Sequence, residues 1–302
     1  MSVDDKEAMR WGVRRRLEFI DFRLFWDGRF NRRDLANTFG ISAQQASADI
    51  ALYTAQAPAN LSYDPGARTY VRTPAYRPTL MQASSERYLL QLVAIENRWM
   101  SKDDTWFDET PPIENVSLLR KRTDSDILLR ILEAINRGGQ LEIGYKSLIG
   151  SPEPRRVIAP HALFHAGGRW YVRAWSGEHR DFRDYNLFRI ESAGAIETSV
   201  ANPALDYEWS HRIELEIIPN PELSETQCAA VAMEYGMTEG RLVVTSRLSQ
   251  SFYLMTENNL DVEPKVLVPG KQPLVLLNRA EVVAARETAR KLSTAAVARA
   301  SA

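Results

Sequence analysis

Arginine, histidine, tyrosine and serine side chains recur among apolar residues between positions 140 and 190. The planar guanidinium group of arginine suits bidentate contact with phosphate, and polar groups on several strands of one small sheet can converge into a pocket for an anion. The alternative is that each arginine lies on an exposed strand edge. The residues that predict an anion pocket are Tyr145, Ser147, His161, His165, Arg173, Arg183 and Arg189.

A second polar pattern occupies residues 31–50. Asn31 is a good N-cap, Gly40 suits the left-handed conformation that ends a helix, and Ser42 caps the next helix. Gln45 completes a Ser-x-x-Gln capping box with Ser42. This spacing indicates a helix-turn-helix, whose second helix meets the major groove of DNA. The residues predicted to face outward from that helix are Ala43, Gln44, Gln45, Ser47 and Ala48.

Glutamine suits the edge of adenine, and serine donates to or accepts from either strand. The second helix has no lysine or arginine, so phosphate contacts must come from basic residues around it, with Arg16 and Arg72 as supporting members. A three-helix protein-interaction domain with the same packing is the alternative. The predicted DNA-binding residues are Arg14, Arg15, Arg32, Arg33, Ser42, Gln44, Gln45, Ser47 and Arg68.

The elements that must position these residues follow from periodicity and turn signals. Apolar residues at helical spacing predict helices over 8–26, 84–100 and 124–137, and 101–122 reads as a polar linker. Asp64-Pro65-Gly66 between two β-prone runs predicts a hairpin, the wing that completes a winged helix-turn-helix.

From residue 140 the period changes to that of strands, with a tight turn at Gly167-Gly168. This predicts a small antiparallel sheet or barrel with strands at 141–145, 157–166, 169–175 and 184–190. The remaining chain mixes types, and predicts strands at 212–218, 241–246 and near 265–268, with helices at 224–235 and 279–299.

Composition bounds the class of protein. The 302 residues suffice for two or three domains, and the net charge of -1 hides local basic clusters. The single cysteine, Cys228, gives no disulfide framework. Residues 1–30 are charged throughout and no apolar run reaches about 18–20 residues, so a cytoplasmic protein is expected, with no membrane partner.

Enzyme signatures are missing from the sequence. It contains no phosphate-binding loop, no nucleophile elbow and no His-Glu-x-x-His. His161 and His165 are expected on one face of a strand without a third metal ligand, and a nuclease would have only Asp181 and Asp184 as metal ligands. We therefore predict no catalytic residue, no metal and no cofactor.

Three stretches resemble a known family. Residues 169–174 read Arg-Trp-Tyr-Val-Arg-Ala, which is similar to the signature of WYL-domain proteins with Val172 in place of leucine. Residues 160–163 upstream, and 182–185 and 188–190 downstream, match the rest of that pattern. The order of winged helix-turn-helix, WYL domain and C-terminal extension most resembles the BrxR/CapW-type repressors of bacterial anti-phage defence islands.

The resemblance implies a multidomain α+β fold with a central Sm-like or SH3-like β-barrel and a C-terminal α/β extension. It implies a DNA-binding domain at 1–80, a helical linker at 81–122, a WYL ligand-sensing domain at 123–205 and a dimerisation domain at 206–302. We expect Trp170 to lie in the core. By position, the ligand contacts are Tyr145, Ser147, His161, Arg173, Arg183 and Arg189.

The expected function is sequence-specific transcriptional regulation. The resemblance implies a homodimer that covers a palindromic operator in double-stranded DNA and represses a phage-defence operon of the BREX or CBASS type. A nucleotide or oligonucleotide effector bound in the WYL domain would relieve repression. The alternatives are a WYL-type activator and a ligand-sensing module that regulates a nucleic-acid enzyme.

Overall fold

The computed structural model describes residues 3–116, 123–148, 155–199 and 201–300. They divide into an N-terminal unit that ends at residue 118 and a C-terminal unit that begins at residue 119. Within the described ranges, no helix has both the length and the apolar character that crossing a membrane requires.

Three helices form the centre of the N-terminal unit: α1 (Val3–Trp26), α2 (Arg32–Phe39) and α3 (Ala43–Gln56). The start of α2 is fixed by a reciprocal capping box, in which Asn31 Oδ1 accepts from Asp34 N at 3.0 Å and Asp34 Oδ2 accepts from Asn31 N at 2.9 Å. Gly40, at φ 61°, ends α2 in the left-handed region. The sharp corner between α2 and α3 is therefore as the sequence predicts.

The predicted capping box at the start of α3 is only half formed. Ser42 Oγ accepts from Gln45 N at 3.1 Å, but Gln45 Nε2 donates to Asp49 Oδ1 at 3.0 Å instead of its side chain returning to Ser42. The reason is that Asp49 is buried, so its carboxylate needs donors more than the exposed amide of Ser42 needs an acceptor.

The wing is a three-stranded antiparallel sheet in the order β1-β3-β2, formed by β1 (Arg29–Phe30), β2 (Leu61–Asp64) and β3 (Thr69–Arg72). The two-residue β1 is too short to leave a sequence pattern and was not predicted. At the turn, Asp64 Oδ1 accepts from Gly66 N at 2.8 Å and Ala67 N at 3.1 Å. Arg68 follows at φ 52°, in the left-handed region.

Helix α4 (Ser85–Glu96) ends four residues before the predicted boundary. The predicted linker at 101–122 begins with a 3₁₀ turn, Lys102–Asp104. Trp106 then packs edge-on against Phe19 with ring centroids 5.8 Å apart and Phe107 stacks on Phe22, so this stretch joins the N-terminal core. Residues 117–122 of the predicted linker lie outside the described residues.

Asp21 is the centre of the N-terminal core. Its fully buried carboxylate accepts from Tyr53 Oη on α3 at 2.6 Å and from Tyr76 Oη at 2.9 Å. It also accepts from three consecutive amides after the wing, those of Thr79, Leu80 and Met81, at 2.8, 2.8 and 3.0 Å. Burial and the hydrogen bond to this carboxylate raise the pKa of Tyr53, which keeps its hydroxyl a donor.

Replacing Tyr53 with phenylalanine removes one of these donors from a buried carboxylate. We expect the N-terminal unit to lose about 1–3 kcal/mol of stability, which corresponds to roughly five- to 150-fold faster amide exchange through opening of this unit. Native-state hydrogen exchange at the amides of residues 79–81 measures the effect. Tyr63→Phe, at an exposed tyrosine of the wing, is the control. Equal exchange in the two variants would contradict the central role of Asp21.

The C-terminal unit opens with α5 (Ser125–Arg137), which packs on a five-stranded antiparallel sheet in the order β7-β6-β5-β4-β8. The buried face of α5 carries Ile127, Ile131 and Ala134. These side chains share a core with the inner face of the sheet. The strands are β4 (Gly139–Tyr145), β5 (Arg155–Ala166), β6 (Arg169–Ser176), β7 (Asp181–Asn186) and β8 (Ile190–Thr198).

Two features of this sheet differ from the prediction. The expected strand at 184–190 is β7, which ends at Asn186, followed by a 3₁₀ turn over Leu187–Arg189 and by the unpredicted β8. Among the described residues, the outer strands β7 and β8 do not pair, so the strand order is open and a closed barrel is not found.

A second, three-stranded sheet in the order β10-β9-β11 lies in the same unit. The predicted strand near 265–268 is wrong: Val266 and Val268 are exposed between two prolines, whereas Leu274 and Leu276 are buried and pair with β9. The elements are α6 (Tyr207–Ser210), β9 (Arg212–Pro219), α7 (Glu225–Glu234), β10 (Leu242–Arg247), α8 (Leu248–Glu257), β11 (Leu274–Leu276) and α9 (Arg279–Ala300).

Candidate nucleic-acid interface and ligand site

Helix α3 presents a polar, exposed face. Ala46, Asp49, Ile50 and Tyr53 of this helix are buried, whereas Ser42, Gln44 and Ser47 are exposed. All five residues predicted to face outward are exposed. Gln44 makes no side-chain hydrogen bond within the described part of the chain, so its amide is available to a base edge.

Gln45 is exposed but its amide is already engaged. Its Nε2 and the guanidinium of Arg16 both contact Asp49, with Arg16 Nε 2.6 Å from Asp49 Oδ2. This buried charge pair ties α3 to α1. Gln45 and Arg16 therefore hold the recognition helix in place, which leaves Gln44 as the glutamine with a free amide.

Basic side chains flank the exposed face of α3. Arg32 Nη1 donates to Ser47 Oγ at 3.2 Å, and Ser47 Oγ donates to Ala43 O at 2.9 Å. Arg33 is exposed and forms no ion pair with any residue that the structure describes. Arg68 lies exposed at the tip of the wing. None of these three arginines forms an ion pair with a carboxylate in the described ranges, so all three suit phosphate contacts.

Arg14 and Arg15 are placed differently from the prediction. Arg14 Nε is 3.1 Å from Glu18 Oε1, and the Arg15 guanidinium lies 4.2 Å from the centre of the Trp106 ring. Both line a cavity of about 350 Å³ between α1, α4 and residues 80–106. At 100° per residue, Arg14 points about 160° away from Arg16, which faces α3. The structure therefore does not bring Arg14 and Arg15 to the face of α3.

Arg173 is the most constrained of the predicted ligand contacts. It is buried in the C-terminal unit, where its Nε and Nη2 donate to the two oxygens of Asp206 at 2.7 and 2.9 Å. Nη1 donates to Asp184 Oδ1 at 3.1 Å, and Nη2 also donates to Glu208 Oε2 at 3.2 Å. One guanidinium thus satisfies three carboxylates, so Arg173 has a structural role in this network, and its predicted contact with a ligand stays a prediction.

The pKa shifts in this network follow from burial and from Arg173. Burial opposes charge on Arg173, but its hydrogen bonds to Asp206 and the nearby carboxylates outweigh burial and raise its pKa. Burial also disfavours ionised Asp206, yet hydrogen bonds from Arg173 and His161 lower its pKa. For Asp184 and Glu208, burial dominates and raises the pKa of both carboxyl groups.

His161 belongs to this network and His165 does not. The pairing of β5 with β6 shifts register between Pro160 and Ala162, a bulge that puts His161 on the face of Arg173. There His161 Nε2 lies 3.0 Å from Asp206 Oδ2, whereas the His165 ring contacts Trp170 on the opposite side. The prediction that the two histidines share a face is therefore wrong, because the bulge breaks the alternation.

Trp170 is not in the core. It is 46% exposed near the start of β6, while Tyr171 stacks on Phe164 with ring centroids 5.0 Å apart. The buried residues on the α5 side of β6 are Val172 and Ala174. The prediction that Trp170 lies in the core is therefore wrong.

Three predicted ligand residues lie elsewhere on the sheet. Tyr145 Oη accepts from Asn186 N at 3.3 Å, and its ring meets Tyr185 edge-on. Ser147 is exposed just after β4, and Arg189 lies in the 3₁₀ turn after β7, where its carbonyl accepts from Lys146 N. None of the three lines the cavity that contains Arg173.

Arg173 and Arg183 do share a cavity, of about 260 Å³, with residues that sequence reasoning missed. The new members come from the end of the chain, where Ser249 and Tyr253 are four residues apart on α8 and Arg286 and Arg290 four apart on α9. The i, i+4 spacing was visible in the sequence. What these helix faces pack against was not.

Family comparisons agree with this architecture. Residues 12–94 match the BrxR transcriptional regulator winged helix-turn-helix domain, residues 126–194 the WYL domain, and residues 212–282 the BrxR C-terminal dimerization domain. The DNA-binding transcriptional repressor CapW of Pseudomonas aeruginosa is 35% identical over 277 residues, which cover 92% of this chain and 93% of that protein. The chain belongs to the BrxR/CapW family of transcriptional repressors.

Further CapW repressors show the same relation. Those of Escherichia coli (strain KTE188) and Stenotrophomonas maltophilia are each 34% identical, over 94% and 93% of this chain and 95% of their own length. The family consists of regulators rather than enzymes, which confirms the prediction that this chain is not an enzyme. The WYL assignment is confirmed despite Val172 in place of leucine.

Removing Arg173 tests its structural role. In Arg173→Met, Asp206 stays buried without its main partner, and we expect a loss of about 3–5 kcal/mol, or roughly 6–20 °C in the melting temperature of this unit. Arg183→Met makes the same change at a half-exposed arginine of the same cavity and should cost less than about 1 kcal/mol. Calorimetry of the full chain measures both. Equal melting temperatures would show that Arg173 does not hold the network together.

Proposed function

We propose that this chain is a homodimeric repressor that binds a palindromic operator through α3 and the wing. The observation that carries the proposal is the rigid corner between α2 and α3, which exposes Gln44 and Ser47 while Asp21 and Asp49 fix the helix from behind. Rigid presentation of short polar side chains is what reading of base edges in the major groove requires.

The proposed contacts divide by chemistry. Ser42, Gln44 and Ser47 face the bases, with Gln45 beside them as the residue that steadies the helix. Arg32, Arg33 and Arg68 contact phosphates and supply affinity without reading sequence. Arg68 adopts the left-handed conformation at the turn, which costs a non-glycine residue about 1 kcal/mol and holds its side chain at the tip of the wing.

Dimerisation is proposed through the C-terminal domain. Residues 212–282 match a dimerization domain, and three apolar residues of this stretch, Met233, Val266 and Val268, are largely exposed in the single chain. Two copies related by a two-fold axis would place their recognition helices on half-sites about 34–36 Å apart, or a multiple of that distance.

The finer parts of the proposal concern regulation. A phosphate-bearing nucleotide or oligonucleotide binds the WYL domain and releases the operator of a phage-defence operon. The bulges in the β4–β8 and β5–β6 pairs support an Sm-like curvature of the sheet, because bulges bend strands. The division at residues 80, 122 and 205 into DNA-binding, linker, sensor and dimerisation parts belongs to the same proposal.

Two substitutions separate affinity from specificity. Arg33→Ala should weaken binding to every DNA sequence and reduce the salt dependence of log K by about 0.9 for each subunit, or about 1.8 for the dimer. Gln44→Ala should change the preference at one base pair by about 1–3 kcal/mol. Fluorescence anisotropy with operator and scrambled duplexes at several salt concentrations measures both. Arg155→Ala, whose side chain pairs with Glu142 outside the N-terminal unit, is the control. Unchanged binding in both test variants would refute the docking.

A promoter fusion tests the direction of regulation. The upstream region of the chain's own operon drives a reporter, in cells with and without the intact protein. Repression predicts higher reporter activity without the protein, and Arg33→Ala should reproduce that rise. Lower activity without the protein would identify an activator.

A further inference from the structure

The cavity between the WYL sheet and the C-terminal helices contains buried donors that none of the described residues satisfies. Ser249 is 3% exposed, and its Oγ has no hydrogen-bond partner among the described residues. The Nε atom of Arg183 is also buried and has no hydrogen bond there, although the Arg183 side chain as a whole is half-exposed. An unsatisfied buried hydroxyl or guanidinium N–H costs about 1–3 kcal/mol, so these atoms call for an acceptor in the cavity.

Cationic groups surround the same space. Arg183 comes from β7, and Arg286 and Arg290 from α9. Arg290 Nη2 lies 3.1 Å from Asp181 Oδ2, and Arg183 Nε is 3.9 Å from the same oxygen. Asp181 is thus a single carboxylate between two arginines. An external anion with more acceptor atoms would compete with Asp181 for these two guanidinium groups.

The carboxylates that line the cavity are already occupied on the protein side. Asp184 accepts from Arg173 and from Tyr253 Oη at 3.1 Å, and Glu208 accepts from Arg173. Their hydrogen-bonded oxygens face Arg173 and Tyr253, whereas Ser249 Oγ and Arg183 Nε have no hydrogen-bond partner among the described residues, and Arg183 Nε has only the long ion pair with Asp181. The imbalance of donors over acceptors favours an anionic guest and disfavours a metal ion.

We propose that this cavity binds a phosphate group, held by Arg183 from the sheet and by Ser249 and Arg290 from the C-terminal helices. Its volume of about 260 Å³ holds a phosphate and part of an attached sugar. The proposal deepens the proposed effector function and moves the site away from Tyr145, Ser147 and Arg189. The bound group would join β7 to α8 and α9, and Ser249 lies within the residues matched by the dimerization domain.

Calorimetric titration of the full chain tests the site. The probes are inorganic phosphate, adenosine 5′-monophosphate and a 5′-phosphorylated dinucleotide, with adenosine as the probe that lacks phosphate. The inference predicts that all three phosphate probes bind and adenosine does not. Tightest binding by phosphate, monophosphate or dinucleotide identifies the source of the phosphate. Absence of binding by every phosphate probe would overturn the inference.

Matched variants locate the binding. Arg183→Gln and Arg290→Gln should each weaken phosphate binding about ten- to 100-fold, and Ser249→Ala about three- to tenfold. Arg279→Gln, on the same helix as Arg290 but paired with Glu263, should bind normally. Ser251→Ala removes a buried hydroxyl that is satisfied by Leu248 O, so it should lower stability and leave binding unchanged. Losses confined to Arg279→Gln and Ser251→Ala would place the ligand elsewhere.

Asp181→Asn provides a gain of function. The substitution removes the negative charge that occupies Arg183 and Arg290, and an amide of the same size keeps the packing. We expect phosphate to bind about three- to 30-fold more tightly to this variant. This range is the effect of freeing one charged donor from its partner in the protein. Weaker binding would mean that Asp181 is not the competitor and would contradict the geometry.

The pH dependence gives an independent readout, with sulfate as a probe that stays doubly charged. Ionised Asp184 and Glu208 repel an anion, and because burial raises the pKa of both, they take up protons above the usual carboxyl range. Sulfate should therefore bind more tightly as the pH falls from neutral toward the usual carboxyl range. The groups around them are Arg173, Asp181, Arg183, Asp206, Tyr253, Arg286 and Arg290, with His161 behind Asp206. Tighter binding at higher pH would contradict the site.

Operator release separates this inference from the proposed function. If phosphate binds with the expected variant pattern but leaves the operator complex intact, the phosphate site is supported and relief of repression by this ligand is refuted. If the operator is bound and repression is normal but no phosphate probe binds, the repressor function is supported and the proposed phosphate site in the cavity is refuted.

Discussion

The C-terminal unit depends on one buried guanidinium. Arg173 satisfies Asp184, Asp206 and Glu208 together, in a place where any of these carboxylates alone would be costly to bury. Because Arg173 stands on the sheet, Asp206 caps α6 and Glu208 lies in α6, the same charge network also joins the sheet to the helix that follows it. The sheet and the helices that follow it therefore form one body around their charges as well as around their apolar cores.

The N-terminal unit is held by the converse arrangement, in which buried carboxylates rather than a buried guanidinium collect the hydrogen bonds. Two buried carboxylates, Asp21 and Asp49, collect donors from α1, α3 and the segment after the wing. A helix that reads bases must keep its position when it meets a charged duplex, and apolar packing alone is nondirectional. Hydrogen bonds to a fixed carboxylate supply the direction, so the buried face of α3 fixes the orientation of its exposed face.

The sequence predicted what is local. The corner at Gly40, the wing turn at Asp64 and the helix α5 depend on residues a few positions apart, and the structure has them where expected. Predictions failed where long-range contacts decide. Gln45 follows the cap rule only in part because Asp49 is buried, and His161 changes face because a bulge interrupts β5.

The candidate ligand site shows the same limit more sharply. The signature of the WYL domain predicted Arg173 and Arg183 as neighbours, and both line one cavity. Ser249, Arg286 and Arg290 lie more than sixty residues further along the chain, and no local pattern connects them to β7. Periodicity places a residue on a helix face, but only packing decides which charges that face meets.

A ligand can release DNA only if it binds one state of the protein better than the other. A phosphate held by residues of the sheet alone would have little preference, since a small sheet with a packed core changes little. A cavity with one wall on the sheet and another on α8 and α9 can distinguish two states of the protein, because its affinity for a ligand depends on the distance between those walls. In the proposed site, Ser249 belongs to the matched dimerization domain, so binding there would be coupled to that domain, and a coupling free energy of about 1–3 kcal/mol would shift the operator-bound population.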